Sequence, residues 1–143
     1  MSSSIDFQTG FINPSFVDLT ATPTVLTERQ SGSVVRINTA TGTFTLPALK
    51  AGLRFTFVLG FNGVGTLQII NSAVGNIMVG SAICGGAGEN AKINIGAGLA
   101  SVRFSTACVE CDKIEMYCDG VNWSVFGNSR APVASFATAI IFV

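Results

Sequence analysis

The chain has 143 residues, a length that suits one domain with a single core. Only 11% of its residues are charged and 48% are hydrophobic, and its eight Lys and Arg balance its eight Asp and Glu to a formal net charge of zero. That balance excludes the basic field that holds nucleic acid, and the low charge favours a surface that neighbouring molecules cover.

Residues 1–30 are predicted to form an extended N-terminal arm. They are rich in Ser and Thr, and Phe7, Phe11, Ile12 and Phe16 follow neither a helical nor a clean strand period. We therefore expect these side chains to dock on another surface. The opening "MSSSIDFQTG" lacks the basic and apolar regions of a signal peptide, so we expect synthesis in a cytoplasm and no membrane contact.

Residues 31–143 are predicted to form one all-β domain. The segments "SVVRIN" and "TFTLP" alternate apolar and polar residues on either side of "TATG", which predicts a hairpin that ends at Pro47. The segment "LRFTFVLGF" then places large apolar side chains at every second position: Leu53, Phe55, Phe57, Leu59 and Phe61. Alternation of this kind predicts a strand at the centre of the core.

Further short β-runs follow as "TLQIIN", "NIMVGSAI", "AKINIG" and "ASVRFST". In all, about nine runs are separated by turn signals, and no long helix interrupts them. This pattern predicts a β-sandwich, a jelly roll or a small barrel. No segment repeats at a fixed period, which argues against a solenoid or a propeller.

The segment "DKIEMYCDGVNWSVFG", residues 112–127, contains the chain's only Trp and only Tyr. Its period-two pattern predicts a hairpin whose turn is supplied by Asp119 and Gly120. Trp123 is expected to pack in the core and to find a hydrogen-bond partner for its indole N–H. In the alternative interpretation, Tyr117 and Trp123 are stacking platforms for a ligand.

The candidates for chemistry are few. Histidine is absent, which removes the commonest general acid or base, and no carboxylate pair suggests a glycosidase, so we predict no enzyme and no cofactor. Cys108 and Cys111 have the spacing of half a zinc site, but no second pair at comparable spacing completes it. With Cys84 and Cys118, they are interpreted as buried thiols or as partners in a disulfide, and the sequence leaves that choice open.

Two segments together resemble a known family. The stretches "VLTERQSGSVVRINTATGTFTLPALKAGLRFTFVL" and "CDKIEMYCDGVNWSVFG" are similar to a pattern in structural proteins of double-stranded DNA viruses and tailed phages. Such domains occur in head decoration proteins, minor capsid proteins and tail-fibre modules. The resemblance implies a β-rich virion component, often trimeric, and its motif carries no catalytic residue.

We therefore expect a virion structural protein, a capsid decoration, cement or minor capsid component. It would bind the major capsid protein and copies of itself, as a homotrimer, without direct contact with nucleic acid or membrane. Its interface residues are predicted at the two chain ends: Phe7, Phe11, Ile12, Phe16, Ile140, Ile141, Phe142 and Val143. The C-terminal ones would add a strand to a neighbour. The alternative is a tail-fibre or receptor- or glycan-binding tip that uses Tyr117 and Trp123.

Overall fold

The computed structural model describes residues 4–5, 12–13, 16–19, 24–39, 42–60, 68–71, 78–84, 92–131 and 139–142. In these residues the regular structure is β, apart from one short 3-10 helix at Glu28–Gln30. The strands are β1 (Ser4–Ile5), β2 (Ile12–Asn13), β3 (Phe16–Leu19), β4 (Thr24–Val25), β5 (Val34–Ile37), β6 (Gly42–Thr45), β7 (Arg54–Leu59), β8 (Gln68–Asn71), β9 (Met78–Cys84), β10 (Lys92–Leu99), β11 (Ser101–Phe104), β12 (Lys113–Cys118), β13 (Trp123–Ser129) and β14 (Ile140–Phe142). The predicted all-β class is confirmed.

The strands form two main sheets and a short ribbon. The large sheet has seven strands in the order β10-β9-β13-β12-β7-β5-β3, and the small sheet has five in the order β14-β11-β8-β6-β4. The ribbon is the antiparallel pair β1 and β2. Neither main sheet closes on itself, so the small-barrel alternative is wrong.

From β3 to β8 the chain alternates between the two sheets. Strands β3, β5 and β7 are parallel neighbours in the large sheet, and β4, β6 and β8 are parallel neighbours in the small sheet. The chain therefore winds like a short solenoid, contrary to the expectation drawn from the missing repeat. The strand register explains why the sequence shows no repeat. Val34 pairs with Phe16 of the preceding coil and with Thr56 of the following coil. These two partners are separated from Val34 by different numbers of residues, so successive coils differ in length.

The predicted hairpin that ends at Pro47 is wrong, because β5 and β6 lie in different sheets. Both strands alternate because each buries one face in the same core, and alternation does not reveal which strand is the partner. The parallel pairs also contradict a jelly roll, which is built from antiparallel strands.

The second half of the chain is mainly antiparallel. Strand β12 pairs antiparallel with both β7 and β13, which confirms the predicted 112–127 hairpin. Strand β13 in turn pairs parallel with β9, and β9 forms an antiparallel pair with β10. In the small sheet, β11 lies antiparallel to β8 and β14. The two segments that carry the family resemblance thus supply four adjacent strands of the large sheet, β13, β12, β7 and β5.

One hydrophobic core is shared by both sheets. As the sequence predicts, Leu53, Phe55, Phe57 and Leu59 are all buried, whereas Phe61 lies outside the described residues. A row of aromatic rings crosses the core, with centroid distances of 6.0 Å from Trp123 to Phe55, 6.5 Å from Phe55 to Phe57 and 6.1 Å from Phe57 to Phe44. Phe44 belongs to β6, so this aromatic row joins the small sheet to the large one.

The C-terminal strand packs within its own chain. Strand β14 pairs with β11, and Ile140 is only 2% exposed. A Cβ placed on Gly127 of β13 would come within 3.0 Å of Ile140 Cδ1, so the bare glycine makes room for this side chain between the sheets. The prediction that Ile140 docks on a neighbour is therefore wrong. Phe142 packs partly buried against the same core, while the Ile141 side chain and Val143 lie outside the described residues.

The segment predicted as an arm contributes strands to both sheets. Strand β3 forms an edge of the large sheet, β4 forms an edge of the small sheet, and Leu26 is buried in the core. Phe16 therefore begins a strand that pairs with the chain's own β5, although its side chain is outside the description. Ile12 pairs with Ile5 in the ribbon, and Phe7 and Phe11 lie outside the described residues.

Trp123 is fully buried, at 0% exposure, which confirms its packing role. Its indole Nε1 has no hydrogen-bond partner among the described residues, so the expectation of a partner is wrong. The ring lies against Phe55 and presents no face to solvent. The alternative in which Trp123 stacks on a ligand is therefore also wrong.

The turn between β12 and β13 is built around one carboxylate. Asp119 Oδ1 accepts hydrogen bonds from the backbone N–H groups of Val121 at 2.7 Å and Asn122 at 2.6 Å. The bonds from Asn122 and Val121 hold the pKa of Asp119 below its ordinary value of 3.8. Gly120 adopts a φ of 99°, a conformation that glycine accepts without strain.

Two substitutions of Trp123 distinguish the stability gained from burying its ring from the stability lost by burying its unpaired N–H. We expect Trp123→Ala to lower the free energy of unfolding by about 3–5 kcal/mol, because it opens a large cavity. Trp123→Phe should cost less than about 1.5 kcal/mol, because it keeps most of the ring and removes the unpaired donor. Urea unfolding measures both, and equal losses for the two variants would contradict this account.

The Asp119 turn predicts a pH-dependent stability difference. Because the folded pKa is lowered, the ionised carboxylate stabilises the native state above pH 3.8, and this contribution disappears as the pH falls through the folded value. Asp119→Ala should therefore lower the melting temperature at neutral pH and approach the wild-type value in strong acid. Thermal melts across the acid range measure this. A difference between the two proteins that stays constant with pH would refute it.

A candidate binding face on the large sheet

The outward face of the large sheet is the candidate functional site. Along β12 and β13 the residues alternate between the core and solvent, so that Tyr117 and Phe126 point outward while Met116 and Val125 are buried. Tyr117 stands opposite Arg54 of β7 on one side and Ser124 of β13 on the other. The strand register thus brings side chains from distant parts of the chain onto one surface.

One half of this face is apolar. Val79, Ile83 and Phe126 are 43%, 45% and 51% exposed. Phe126 is opposite Ser81 in the register, and Val79 and Ile83 are the next outward residues on either side of Ser81. Phe126 is thus a diagonal neighbour of both Val79 and Ile83 on the outward face, and the three side chains form one patch. We call Val79, Ile83 and Phe126 the apolar patch.

Tyr117 lies beside the apolar patch and is 46% exposed. Its ring meets that of Phe126 edge-on, with centroids 6.2 Å apart and planes at 65°. This geometry is favourable for two aromatic rings, and it holds the Tyr117 ring in position while leaving part of it in solvent. Of the two predicted stacking residues, Tyr117 alone is accessible.

An open depression of about 210 Å³ lies next to Tyr117. It is lined by Gly32, Ser33, Val34, Arg54, Phe55, Thr56 and Tyr117. Arg54 is the one charged residue among them. A Cβ added at Gly32 would lie 3.8 Å from Arg54 Nε, so the arginine side chain runs along the Gly32 wall.

The Gly32 wall is fixed by one backbone–backbone hydrogen bond and one backbone–side-chain hydrogen bond to β7. The Gly32 N–H donates to the Arg54 carbonyl at 2.8 Å, and the Arg54 N–H donates to Ser31 Oγ at 3.1 Å. On the far side of the turn, the Thr27 N–H donates to Gln30 Oε1 at 2.8 Å, which closes the 3-10 helix. The wall therefore has a defined position relative to Arg54 even though it is a loop.

The charges around the depression are unevenly compensated. Lys113 pairs with Glu115 at 3.0 Å on β12, and Lys50 pairs at 2.7 Å with Glu28, the first residue of the 3-10 helix. The Arg54 guanidinium makes no ion pair or hydrogen bond with another described residue. Exposed pairs contribute little stability, but they cancel the local charge, so Arg54 is an uncompensated cation at the depression among the described residues.

The cysteine segment is a structural loop in the described part of the chain. Cys108 is buried and its thiol donates to the Ala139 carbonyl at 3.2 Å, whereas Cys111 is exposed with a φ of 71°. No disulfide joins Cys108, Cys111 and Cys118 to one another, and the Cys84 side chain lies outside the description. Within the described residues, no three Cys, Asp or Glu side chains are grouped as metal ligands.

Asp112 anchors this loop to the end of β13, a role that the sequence did not reveal. The carboxylate is 1% exposed and accepts hydrogen bonds from Ser129 Oγ at 2.5 Å, Arg130 N at 2.8 Å and Val109 N at 3.0 Å. Three donors offset the cost of burying the group. Asp112 is thus part of the scaffold rather than of a reactive site.

Sequence reasoning missed Arg54 as a site residue. The signal was present in "LRFTFV", because the same alternation that buries Phe55 and Phe57 turns Arg54 and Thr56 outward. What the sequence could not show is that β5 and β12 flank β7, which places Val34 and Tyr117 beside Arg54.

Comparisons with protein-family models, with curated proteins and with solved structures gave no match. None of the helical structure in the described residues is long and apolar enough to cross a membrane.

Proposed function

We propose that this protein is a virion structural component, a capsid decoration, cement or minor capsid protein made in the host cytoplasm. The resemblance supports this proposal through the segments that form β7, β12 and β13. The small number of charged residues and the zero net charge of the chain also favour assembly with other molecules over a monomeric state. We infer a role without catalysis, since the sequence offers no histidine and the resemblance carries no catalytic residue.

The two main sheets are interpreted as the layers of a β-sandwich. One core contains residues of both, and the contact between Phe44 and Phe57 joins β6 to β7 across it. A sandwich of this kind keeps a rigid outward face on each sheet, which suits a protein whose function is contact. The outward face of the large sheet is the candidate because three of its described side chains are apolar and exposed on neighbouring strands.

The single observation that carries the proposal is the apolar patch. Val79, Ile83 and Phe126 are large, exposed and adjacent on one sheet face, which is characteristic of a surface that another protein covers. We assign this patch to a second copy of the same chain, because a zero net charge removes the repulsion between copies. The resemblance implies that the copies assemble into a closed homotrimer.

Contact with the major capsid protein is assigned to the N-terminal residues before β3. Ile12 lies in the ribbon, which among the described strands pairs with neither main sheet, and Phe7 and Phe11 fall between its two strands in the sequence. Phe16 and Ile140, by contrast, belong to strands of the main sheets. We therefore infer that the capsid-binding segment lies within residues 1–13.

A receptor- or glycan-binding tip of a tail fibre is the second candidate. One observation favours it: Tyr117 is half exposed beside a depression that contains an uncompensated arginine. The aromatic ring of Tyr117 and the guanidinium of Arg54, both held on a sheet, are suitable for ligand recognition as well as for assembly. The two candidates use adjoining parts of the same face.

The apolar patch predicts a specific assembly defect. We expect the wild-type protein to be a trimer at micromolar concentration and Val79→Lys to dissociate it, because the patch would then carry a charge that the interface must desolvate. Val121→Lys is the matched control, since Val121 is 67% exposed but lies in the β12–β13 turn rather than on the patch. Multi-angle light scattering measures the mass. A monomeric wild type, or equal effects of both variants, would contradict the assignment.

Removal of residues 1–13 tests the capsid contact. Because β3 and the rest of both sheets are retained, we expect an unchanged circular dichroism spectrum and an unchanged oligomer mass. Binding to purified particles should be lost, while the full-length protein should be detected in those particles by mass spectrometry. Normal incorporation of the truncated chain, or absence of the full-length chain from particles, would refute the proposed role.

A further inference from the structure

We propose that the depression beside Tyr117 is a binding site for a carboxylated sugar, such as a uronic or sialic acid unit. This inference goes beyond assembly, because it assigns a ligand to the part of the large sheet that the apolar patch does not occupy. It is carried by the juxtaposition of Arg54, Tyr117 and the Gly32 turn around one open depression.

Arg54 gives the site its preference for an anion. It is the one charged residue that lines the depression, and it is not paired with another described residue. A guanidinium presents a planar fork of N–H donors that matches both oxygens of a carboxylate. Glu115, an outward carboxylate on the adjacent strand β12, is already paired with Lys113 at 3.0 Å, which leaves Arg54 available to a ligand carboxylate.

Tyr117 gives the site its preference for a ring. Its side chain is 46% exposed, and the edge contact with Phe126 restrains it. An aromatic ring held in this way offers an apolar face to the C–H groups of a pyranose and a hydroxyl to its polar rim. Tyr117 is directly opposite Arg54 in the strand register, so one ligand can contact both side chains.

The size of the depression limits the ligand to a single unit. Its volume of about 210 Å³ is below the range of drug-sized sites, which is roughly 300–1,000 Å³. The remaining lining residues include Ser33 and Thr56, whose types supply hydroxyl groups, and Val34, which is apolar. Mixed hydroxyl and apolar lining suits a sugar better than an extended hydrophobic ligand. The open mouth would leave the rest of a glycan chain in solvent.

Titration of the full-length protein with three small probes tests the assignment. The probes are methyl glucuronide, the neutral methyl glucoside, and acetate, and binding is followed by NMR chemical-shift perturbation. We expect methyl glucuronide to bind at millimolar concentration and to shift the amides of Arg54 and Tyr117, and the other two probes to bind at least about tenfold more weakly. Glucoside or acetate binding as strong as that of the glucuronide would overturn the proposal, as would absence of glucuronide binding.

The variants are chosen to separate this site from general surface charge. Arg54→Gln and Tyr117→Ala should each weaken glucuronide binding at least about tenfold, and Arg54→Lys should recover only part of the loss because an ammonium lacks the fork. Arg36→Gln is the matched control: Arg36 is exposed on the neighbouring strand β5 but does not line the depression. Circular dichroism verifies that each variant is folded. Equal binding by Arg54→Gln and Arg36→Gln would overturn the site.

Discussion

The constraint on which the rest of the structure depends is the shared core that the two sheets must fill together. Phe44 of the small sheet meets Phe57 of the large one at a centroid distance of 6.1 Å, and the aromatic row continues through Phe55 to Trp123. These four rings come from three strands: β6 and β7 are consecutive in the chain, and β13 follows more than sixty residues later. Burial of such rings is worth about 1.5–3 kcal/mol each, so strand positions that interrupt the row are strongly disfavoured.

The same constraint positions the candidate binding face. Since side chains alternate across a strand, burial of Phe55, Met116 and Val125 turns Arg54, Tyr117 and Phe126 outward. The pairings between β7, β12 and β13 then fix the spacing of those outward side chains. A sheet surface supported in this way is suited to the contact with another protein or a glycan that we propose.

Local pattern predicted the strands and failed where a partner strand had to be chosen. The alternation in "LRFTFV" identified β7 and its buried face, and Asp119 with Gly120 identified the β12–β13 turn, because both signals depend on neighbouring residues. The hairpin that was expected to end at Pro47 is instead a crossing between sheets, since alternation is the same whichever sheet receives the next strand. Ile140 is accommodated in its own core because Gly127, on another strand, leaves space for it. Arg54 lies in a candidate site because β5 and β12 flank β7 and place Val34 and Tyr117 beside it. No local sequence pattern predicts those two pairings.

Native-state hydrogen exchange tests most directly the claim that the two sheets are one unit around the aromatic row. If the core is shared, the slowest amides of β6 and β8 in the small sheet should exchange with the same free energy as those of β7 and β12 in the large sheet, and that value should equal the free energy of global unfolding. Exchange of the small sheet through a separate opening of lower free energy, while β7 and β12 stay protected, would contradict the account.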